Sequence, residues 1–229
     1  MDGGGSPAVR NERQLQRWLV AGYGLVWAAL AVAPLDRQTW LLENLLVLAL
    51  AATLLALRGR FRFSDLSAVL IVGFLLLHAV GSHYTYSAVP VGFWVRDALD
   101  LSRNHYDRLV HFAFGVLLAY PLREIALRVV HAHRVWSYVV PVLAVLAISS
   151  TYEMMEAWAA RIVDPEVGMA FVGAQGDVWD GQKDMSLALA GALLTMALTA
   201  VMRRATGREP YVFWLPDEPA HAQRSAPRR

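Results

Sequence analysis

The apolar positions of this chain are grouped into six long blocks rather than spread with an amphipathic period. Each block holds roughly 15 to 22 residues, close to the length that a helix needs to cross the hydrocarbon core of a bilayer. The blocks cover residues 18–35, 40–57, 64–80, 107–130, 136–158 and 184–202. The pattern therefore predicts an all-α, polytopic membrane helical bundle with about six transmembrane helices.

Polar segments lie around and between these blocks. Residues 1–14 are predicted to form a disordered cytoplasmic tail, residues 15–203 the six-helix transmembrane domain, and residues 204–229 a disordered basic cytoplasmic tail. The aromatic connection at residues 81–106 suits the headgroup region of a membrane. It is either an anchoring loop, re-entrant or interfacial, or a lid over a site.

Three local features refine the predicted helices. Ser64 is placed to cap the third helix, and Pro121 is expected to kink the fourth. The first block also resembles a cleavable signal peptide that ends at Ala33. Pro34 directly after such a cut disfavours cleavage, so the block is interpreted as a membrane span.

Composition supports the membrane interpretation. The chain is 56% hydrophobic and only 17% charged, whereas a soluble domain has a charged share of about a quarter. There is no cysteine, so the predicted extracytoplasmic loops are held by packing or by ligands rather than by disulfides.

The distribution of charge predicts the orientation. Basic residues are concentrated on the cytoplasmic side of bacterial membrane proteins. If the N-terminus is cytoplasmic, 15 of the 21 basic residues fall on the inner side, and the six outer ones are Arg37, Arg96, Arg103, Arg108, Arg161 and Lys183. Twelve of the 19 acids fall on or near the outer side. We therefore expect a multi-pass protein of the bacterial inner (plasma) membrane with both termini in the cytoplasm.

Candidate chemistry gathers at three helix ends on the outer side. Polar side chains there recur three or four residues apart, a spacing that places them on one helix face. They are Arg103, Asp107, Arg108 and His111 at the fourth helix, Glu153 and Glu156 at the fifth, and Asp177, Asp180, Lys183 and Asp184 at the sixth.

His111 and Glu153 lie about one turn inside their helix ends. A charged group at the centre of a span costs about 2.5 to 3.5 kcal/mol on insertion scales, so such groups usually face a bundle interior or a wet cavity. We predict one outward-open pocket with His111, Glu153, Asp180 and Asp184 as catalytic candidates and the other six residues as binding candidates. The possible ligands of a divalent cation are Asp107, His111, Glu153, Glu156, Asp180 and Asp184.

A purely structural interpretation stays open. Glu153 and Glu156 then pair with Arg108 and Arg161 at headgroup level, and the acids at residues 177–184 complement a helix dipole.

Three functions are compatible with this pattern. The first is an envelope-facing enzyme or binding protein for a lipid or cell-envelope headgroup, with a divalent cation as the one candidate cofactor. The second is a small cation or proton transporter, which the scarcity of ionisable groups in the inner halves of the spans disfavours. The third is a non-catalytic membrane scaffold. Membrane lipid is the expected partner, nucleic acid is not, and the oligomeric state stays open.

Three long motifs resemble the YjdF-like family of bacterial inner-membrane proteins. They are GSHYTY at residues 81–86, RNHYDRLVHF at residues 103–112 and QGDVWDGQKDM at residues 175–185. The resemblance extends over roughly residues 18–202. It implies an inner-membrane topology and no particular reaction.

A fainter pattern resembles VanZ-like membrane proteins, which are associated with the cell envelope. A basic residue before His-Phe and a late helical glutamate are matched by Arg108, His111, Phe112 and Glu153. The remaining pattern, Asp-x-x-x-Asn-x-x-Gly, is matched by Asp184 and Gly191. Ala188 replaces its asparagine, however, and Glu156 replaces the glutamine that follows the glutamate, so this link is expected to be architectural.

Overall fold

The fold was analysed in a computed structural model that describes residues 7–57, 61–162, 172, 174–208 and 210. Within these residues the chain forms seven helices and no strand, which confirms the all-α prediction. The helices are α1 (Pro7–Leu30), α2 (Arg37–Leu57), α3 (Asp65–His83), α4 (Pro90–Ala98), α5 (Tyr106–Arg128), α6 (Trp136–Ile162) and α7 (Asp180–Thr206). The predicted tails lie largely outside the described residues, although α1 begins as early as Pro7.

Five of the described helices are long and apolar enough to cross a membrane: α2, α3, α5, α6 and α7. Large apolar side chains point outward from them, such as Leu55, which is 62% exposed, and Leu143, which is 54% exposed. Contiguous exposed apolar surface of this kind is stable in lipid rather than in water. The described side chains of α1 begin at residue 14, so a sixth span at α1 stays a prediction.

The helix ends follow from local chemistry. The Ser64 hydroxyl accepts a hydrogen bond from the Ser67 amide at 3.3 Å and caps α3, which confirms the predicted N-cap. Pro90 occupies the first turn of α4, where its missing N–H leaves no partner unsatisfied. Gly207, at φ +67°, ends α7 in the left-handed conformation, with its N–H bonded to the Arg203 carbonyl.

A buried carboxylate joins α3 to α5 at the end of the bundle where α3 begins. Glu124 of α5 accepts hydrogen bonds from the Ser64 amide at 2.9 Å and from the Ser67 hydroxyl at 2.6 Å, and it also pairs with Arg128. Glu124 of α5 thus satisfies the Ser64 amide, one of the orphan donors at the start of α3. Arg123 beside it donates to the Ser137 carbonyl at 2.7 Å and extends the network towards α6.

The closest helix pairing is between α5 and α7, and small residues make it possible. A methyl group added at Gly115 of α5 would lie 2.0 Å from the carbonyl oxygen of Ala188. One added at Gly191 of α7 would lie 2.4 Å from the carbonyl oxygen of Phe112. Glycine is therefore required at both positions for the two backbones to touch, as is common between helices in membranes.

We expect the Gly115→Ala variant to lose about 1 to 3 kcal/mol of stability, because the added methyl collides with backbone rather than with a flexible side chain. The measurement is the thermal unfolding midpoint of the purified protein in detergent. The matched control is Gly24→Ala in α1, where an added methyl group meets nothing within 4 Å. Equal midpoints for the two variants would contradict the close crossing.

Candidate functional site

Four side chains from three helices meet beside the first turns of α5 and α7. We call them the polar cluster: Asp107 and His111 of α5, Glu153 of α6 and Asp184 of α7. The His111 Nε2 atom lies 3.6 Å from Asp107 Oδ1 and 3.4 Å from Glu153 Oε1. One ligand atom each of Asp107, His111 and Asp184 lies within 4.8 Å of the other two.

Two acids of this polar cluster, Asp184 and Glu153, each have an oxygen without the hydrogen-bond partner that buried carboxylates normally have. Asp184 is 2% exposed, and its Oδ1 atom is buried without a hydrogen-bond partner. The Oε1 atom of Glu153 is also buried without a hydrogen bond, in spite of its closeness to His111. Three carboxyl groups around one imidazole repel one another in a medium of low dielectric constant, so a proton or a cation must compensate them.

Gly181 allows Glu153 to reach this position. A methyl group at Gly181 would lie 2.7 Å from the Oε2 atom of Glu153. The carboxylate of α6 therefore lies directly against the first turn of α7, in space that any other residue would fill.

A layer of ion pairs lies next to the polar cluster. Arg103 binds both oxygens of Asp180, at 2.5 and 3.3 Å. Arg108 reaches Asp180 at 3.1 Å and Asp177 at 2.5 Å, and Lys183 reaches Asp177 at 2.5 Å. Two of the predicted site acids, Asp177 and Asp180, are thus engaged by cations in this layer and are not members of the polar cluster.

We call this layer of ion pairs the rim. Its contacts determine the charges of the groups within it. The hydrogen bond from Lys183 holds the pKa of Asp177 well below its usual range, with the Trp179 amide adding to the effect. Burial lowers the pKa of His105, and the neighbouring Arg108 and Arg103 lower it further. Asp177 is therefore an anion and His105 a neutral ring near pH 7, with His105 Nδ1 3.3 Å from Arg108 Nη1.

Glu156 was predicted as a sixth ligand of a divalent cation, but it is not among the three residues whose ligand atoms lie within 4.8 Å of one another. It is buried and interacts with the Tyr152 hydroxyl. That hydroxyl also donates to Glu43 Oε2 of α2 at 2.5 Å. The Tyr152 ring lies 6.2 Å from that of His111, so this second group of acids adjoins the polar cluster.

Glu43 is the residue of this region that sequence reasoning missed as a site candidate. It is 1% exposed, and in the sequence it counts only as one of the twelve acids on or near the outer side. A usable signal was present, because an acid inside an apolar block is rare and is normally paired within the bundle. His78 also lies here, with its Nδ1 atom 2.5 Å from the Tyr86 hydroxyl.

A cavity of about 410 Å³ opens from the polar cluster into the bundle. Its walls come from α2, α3, α5 and α6, and Asp107 and His111 belong to them. The volume is in the range of small-molecule sites in proteins, about 300 to 1,000 Å³. The polar cluster therefore borders a space large enough for part of a ligand.

Comparison with known proteins assigns the chain to a family. The family model described as "Predicted membrane protein (DUF2238)" matches residues 15–205. Inner membrane protein YjdF of Escherichia coli (strain K12) is 42% identical over 167 residues, which cover 72% of this chain and 79% of that protein. No solved structure matches.

These matches confirm the YjdF-like resemblance and the multi-pass membrane character of the protein, whereas the VanZ-like resemblance stays a prediction. The chain belongs to the DUF2238 family of predicted membrane proteins.

Proposed function

We propose that this protein binds a divalent cation at Asp107, His111 and Asp184, beside Glu153, and uses it to hold or act on the headgroup of a membrane or envelope lipid. One observation carries the proposal. Ligand atoms of Asp107, His111 and Asp184 lie within 4.8 Å of one another, and the Oδ1 atom of Asp184 is buried without a hydrogen-bond partner.

The donor set suits such an ion. Carboxylate oxygens are ligands for hard cations such as Mg²⁺ and Ca²⁺, and an imidazole extends the range to Mn²⁺ and Zn²⁺. The ion would compensate the mutual repulsion of the acids. A bound divalent cation also polarises a phosphoryl or carbonyl oxygen as a Lewis acid.

The rim cations suit the second half of the proposal. Lys183 is half exposed, and its partner Asp177 is shared with Arg108. A phosphate that approaches this rim meets two cations already in place, and charge-assisted hydrogen bonds to phosphate are among the stronger ones in proteins. Because the chain is a membrane protein, lipid headgroups are the phosphates at the highest local concentration.

The orientation belongs to the same proposal. With both termini in the cytoplasm and six spans, the polar cluster faces the outside of the cell, and the Glu124 network faces the cytoplasm. The excess of basic residues on the inner side supports this arrangement.

The transporter alternative has less support. Ion conduction needs polar groups along the whole path, and the cavity is lined mainly by apolar side chains away from the polar cluster. Thr53, a polar residue in its α2 wall, already bonds to the Ala49 carbonyl at 2.8 Å.

We expect purified protein in detergent to bind Mn²⁺, measured as loss of the free-ion signal in electron paramagnetic resonance. His111→Ala and Asp184→Asn should weaken binding at least about tenfold, equal to about 1.4 kcal/mol, because each removes one ligand. The control is Asp97→Asn, which removes an exposed acid paired with Arg96 on α4. Unchanged affinity in both ligand variants, or no binding of Mn²⁺ or Zn²⁺ by the wild type, would overturn the metal site.

The headgroup function is tested in a strain that lacks the gene. We expect altered lipid composition and altered sensitivity to envelope-directed antibiotics, restored by the wild-type protein and by Asp97→Asn. His111→Ala and Glu153→Gln should fail to restore both traits when present in the membrane at equal amounts. Full rescue by both variants would sink the catalytic interpretation.

The absence of native cysteine gives a clean test of orientation. A single cysteine at Asp97, in exposed α4, should react with a membrane-impermeant maleimide in intact spheroplasts. A single cysteine at His133, between α5 and α6, should react only after the membrane is permeabilised. The reverse pattern of labelling would show that the predicted orientation is inverted.

A further inference from the structure

We infer that the cavity beneath the polar cluster holds one long hydrocarbon chain of a phosphate-bearing lipid, an inference that rests on the proposed headgroup site. The ligand class is then an amphiphile whose polar end lies at Asp107 and His111 and whose chain runs into the bundle. Its phosphate could belong to a diacyl phospholipid or to a polyprenyl phosphate.

The length of the cavity fits a lipid chain. On α5 its lining extends from Asp107 to Ile125. Eighteen residues of helix rise about 27 Å, close to the roughly 30 Å of the bilayer hydrocarbon core. The cavity is thus a slot that runs along the depth of the membrane rather than a compact chamber.

The polarity of the slot changes along its length. The outer end carries Asp107, His111 and Tyr152, and the walls further in are mainly apolar, with Leu50 of α2 and Leu118 of α5 among their residues. Such a gradient matches a molecule with one polar end and one apolar end. An ion, a sugar or a free phosphate would leave the inner walls without a partner.

A polar atom lies where the lipid headgroup would join its chain. Ser149 lines the slot one helix turn from Tyr152, is 2% exposed, and has an Oγ atom with no hydrogen-bond partner. A buried hydroxyl without a partner is costly. An ester or phosphate oxygen of a bound lipid would accept its hydrogen bond.

The slot has a route of entry from the bilayer. Among the described residues, α2 packs against α3 but makes no comparable approach to α5 or α6. The hydrogen bond from Tyr152 to Glu43 ties α2 to α6 near the outer end. The hydrocarbon chain of a lipid can therefore enter laterally between α2 and α6 while its headgroup stays at the membrane surface.

The two ends of such a ligand contribute differently to binding. Moving a chain from lipid into an apolar slot brings no hydrophobic gain, because lipid tails are as apolar as the slot walls. The headgroup contacts supply affinity, and the slot selects for the presence and shape of a single chain.

The test uses phosphatidylglycerol that carries a diazirine near the end of one acyl chain, reconstituted with the purified protein in nanodiscs. After illumination, mass spectrometry should locate crosslinks on inner lining residues such as Leu118 and Leu122, besides those from surrounding lipid on Leu143. Crosslinks confined to outward-facing residues would overturn the inference.

A blocking variant gives the matched comparison. Leu50→Trp should reduce crosslinking inside the slot about tenfold, equal to about 1.4 kcal/mol in binding free energy. Leu48→Trp is the control, because Leu48 lies on the same helix, is 55% exposed and is outside the slot lining. Both proteins must show the wild-type unfolding midpoint. Equal crosslinking in the two variants, or an equal loss in both, would also overturn the slot.

Two further arms separate the possibilities. Competition by unlabelled polyprenyl phosphate, against unlabelled phosphatidylglycerol, identifies which phosphate lipid is bound, and no competition by either contradicts the proposed ligand class. Slot crosslinking without Mn²⁺ binding by the wild type leaves the slot standing and removes the metal site. Mn²⁺ binding with crosslinks only on the outer surface removes the slot alone.

Discussion

The contact of α5 with α7 is the constraint on which the rest of the structure depends. Gly115 and Gly191 bring the two backbones together without intervening side chains, and the Thr195 hydroxyl adds a hydrogen bond to the Val116 carbonyl at 2.8 Å. Asp107 lies eight residues before Gly115, and Asp184 lies seven residues before Gly191. Both intervals are close to two helix turns, so the crossing aims both carboxylates at the same point.

Glu124 and Asp184, at opposite ends of the bundle, differ in whether their buried carboxylate oxygens have hydrogen-bond partners. At one end, Glu124 is surrounded by donors from Ser64, Ser67 and Arg128, and it holds α3 against α5. At the other end, Asp184 has an oxygen with no donor at all. A buried charge whose hydrogen bonds are made stabilises the structure, whereas a buried carboxylate oxygen without a partner is a candidate for binding a ligand. Asp184 is therefore better suited to bind a ligand than Glu124, whose partners are already in place.

Much of the architecture could be predicted from the sequence, because block length and residue spacing are local properties. Helical spacing and the cost of charge in lipid identified Asp107, His111, Glu153 and Asp184 as site candidates. The engagement of Asp180 by Arg103 could not be found this way, because it joins residues 77 positions apart. The burial of Glu43 and the existence of the cavity likewise depend on which helices pack against each other. This packing is decided by contacts between segments that are distant in the sequence.

The loose attachment of α2 has a thermodynamic consequence for access to the site. In a water-soluble protein, parting an apolar seam costs about 25 cal/mol for each Å² exposed. In a bilayer, parting α2 from α6 would exchange one apolar neighbour for another, because the acyl chains of lipid are as apolar as the helix surfaces. The apolar part of the separation then costs little free energy, and the hydrogen bond from Tyr152 to Glu43 still joins the two helices. The free energy of such a separation would include the loss of that hydrogen bond, so a substitution at Tyr152 or Glu43 would change it.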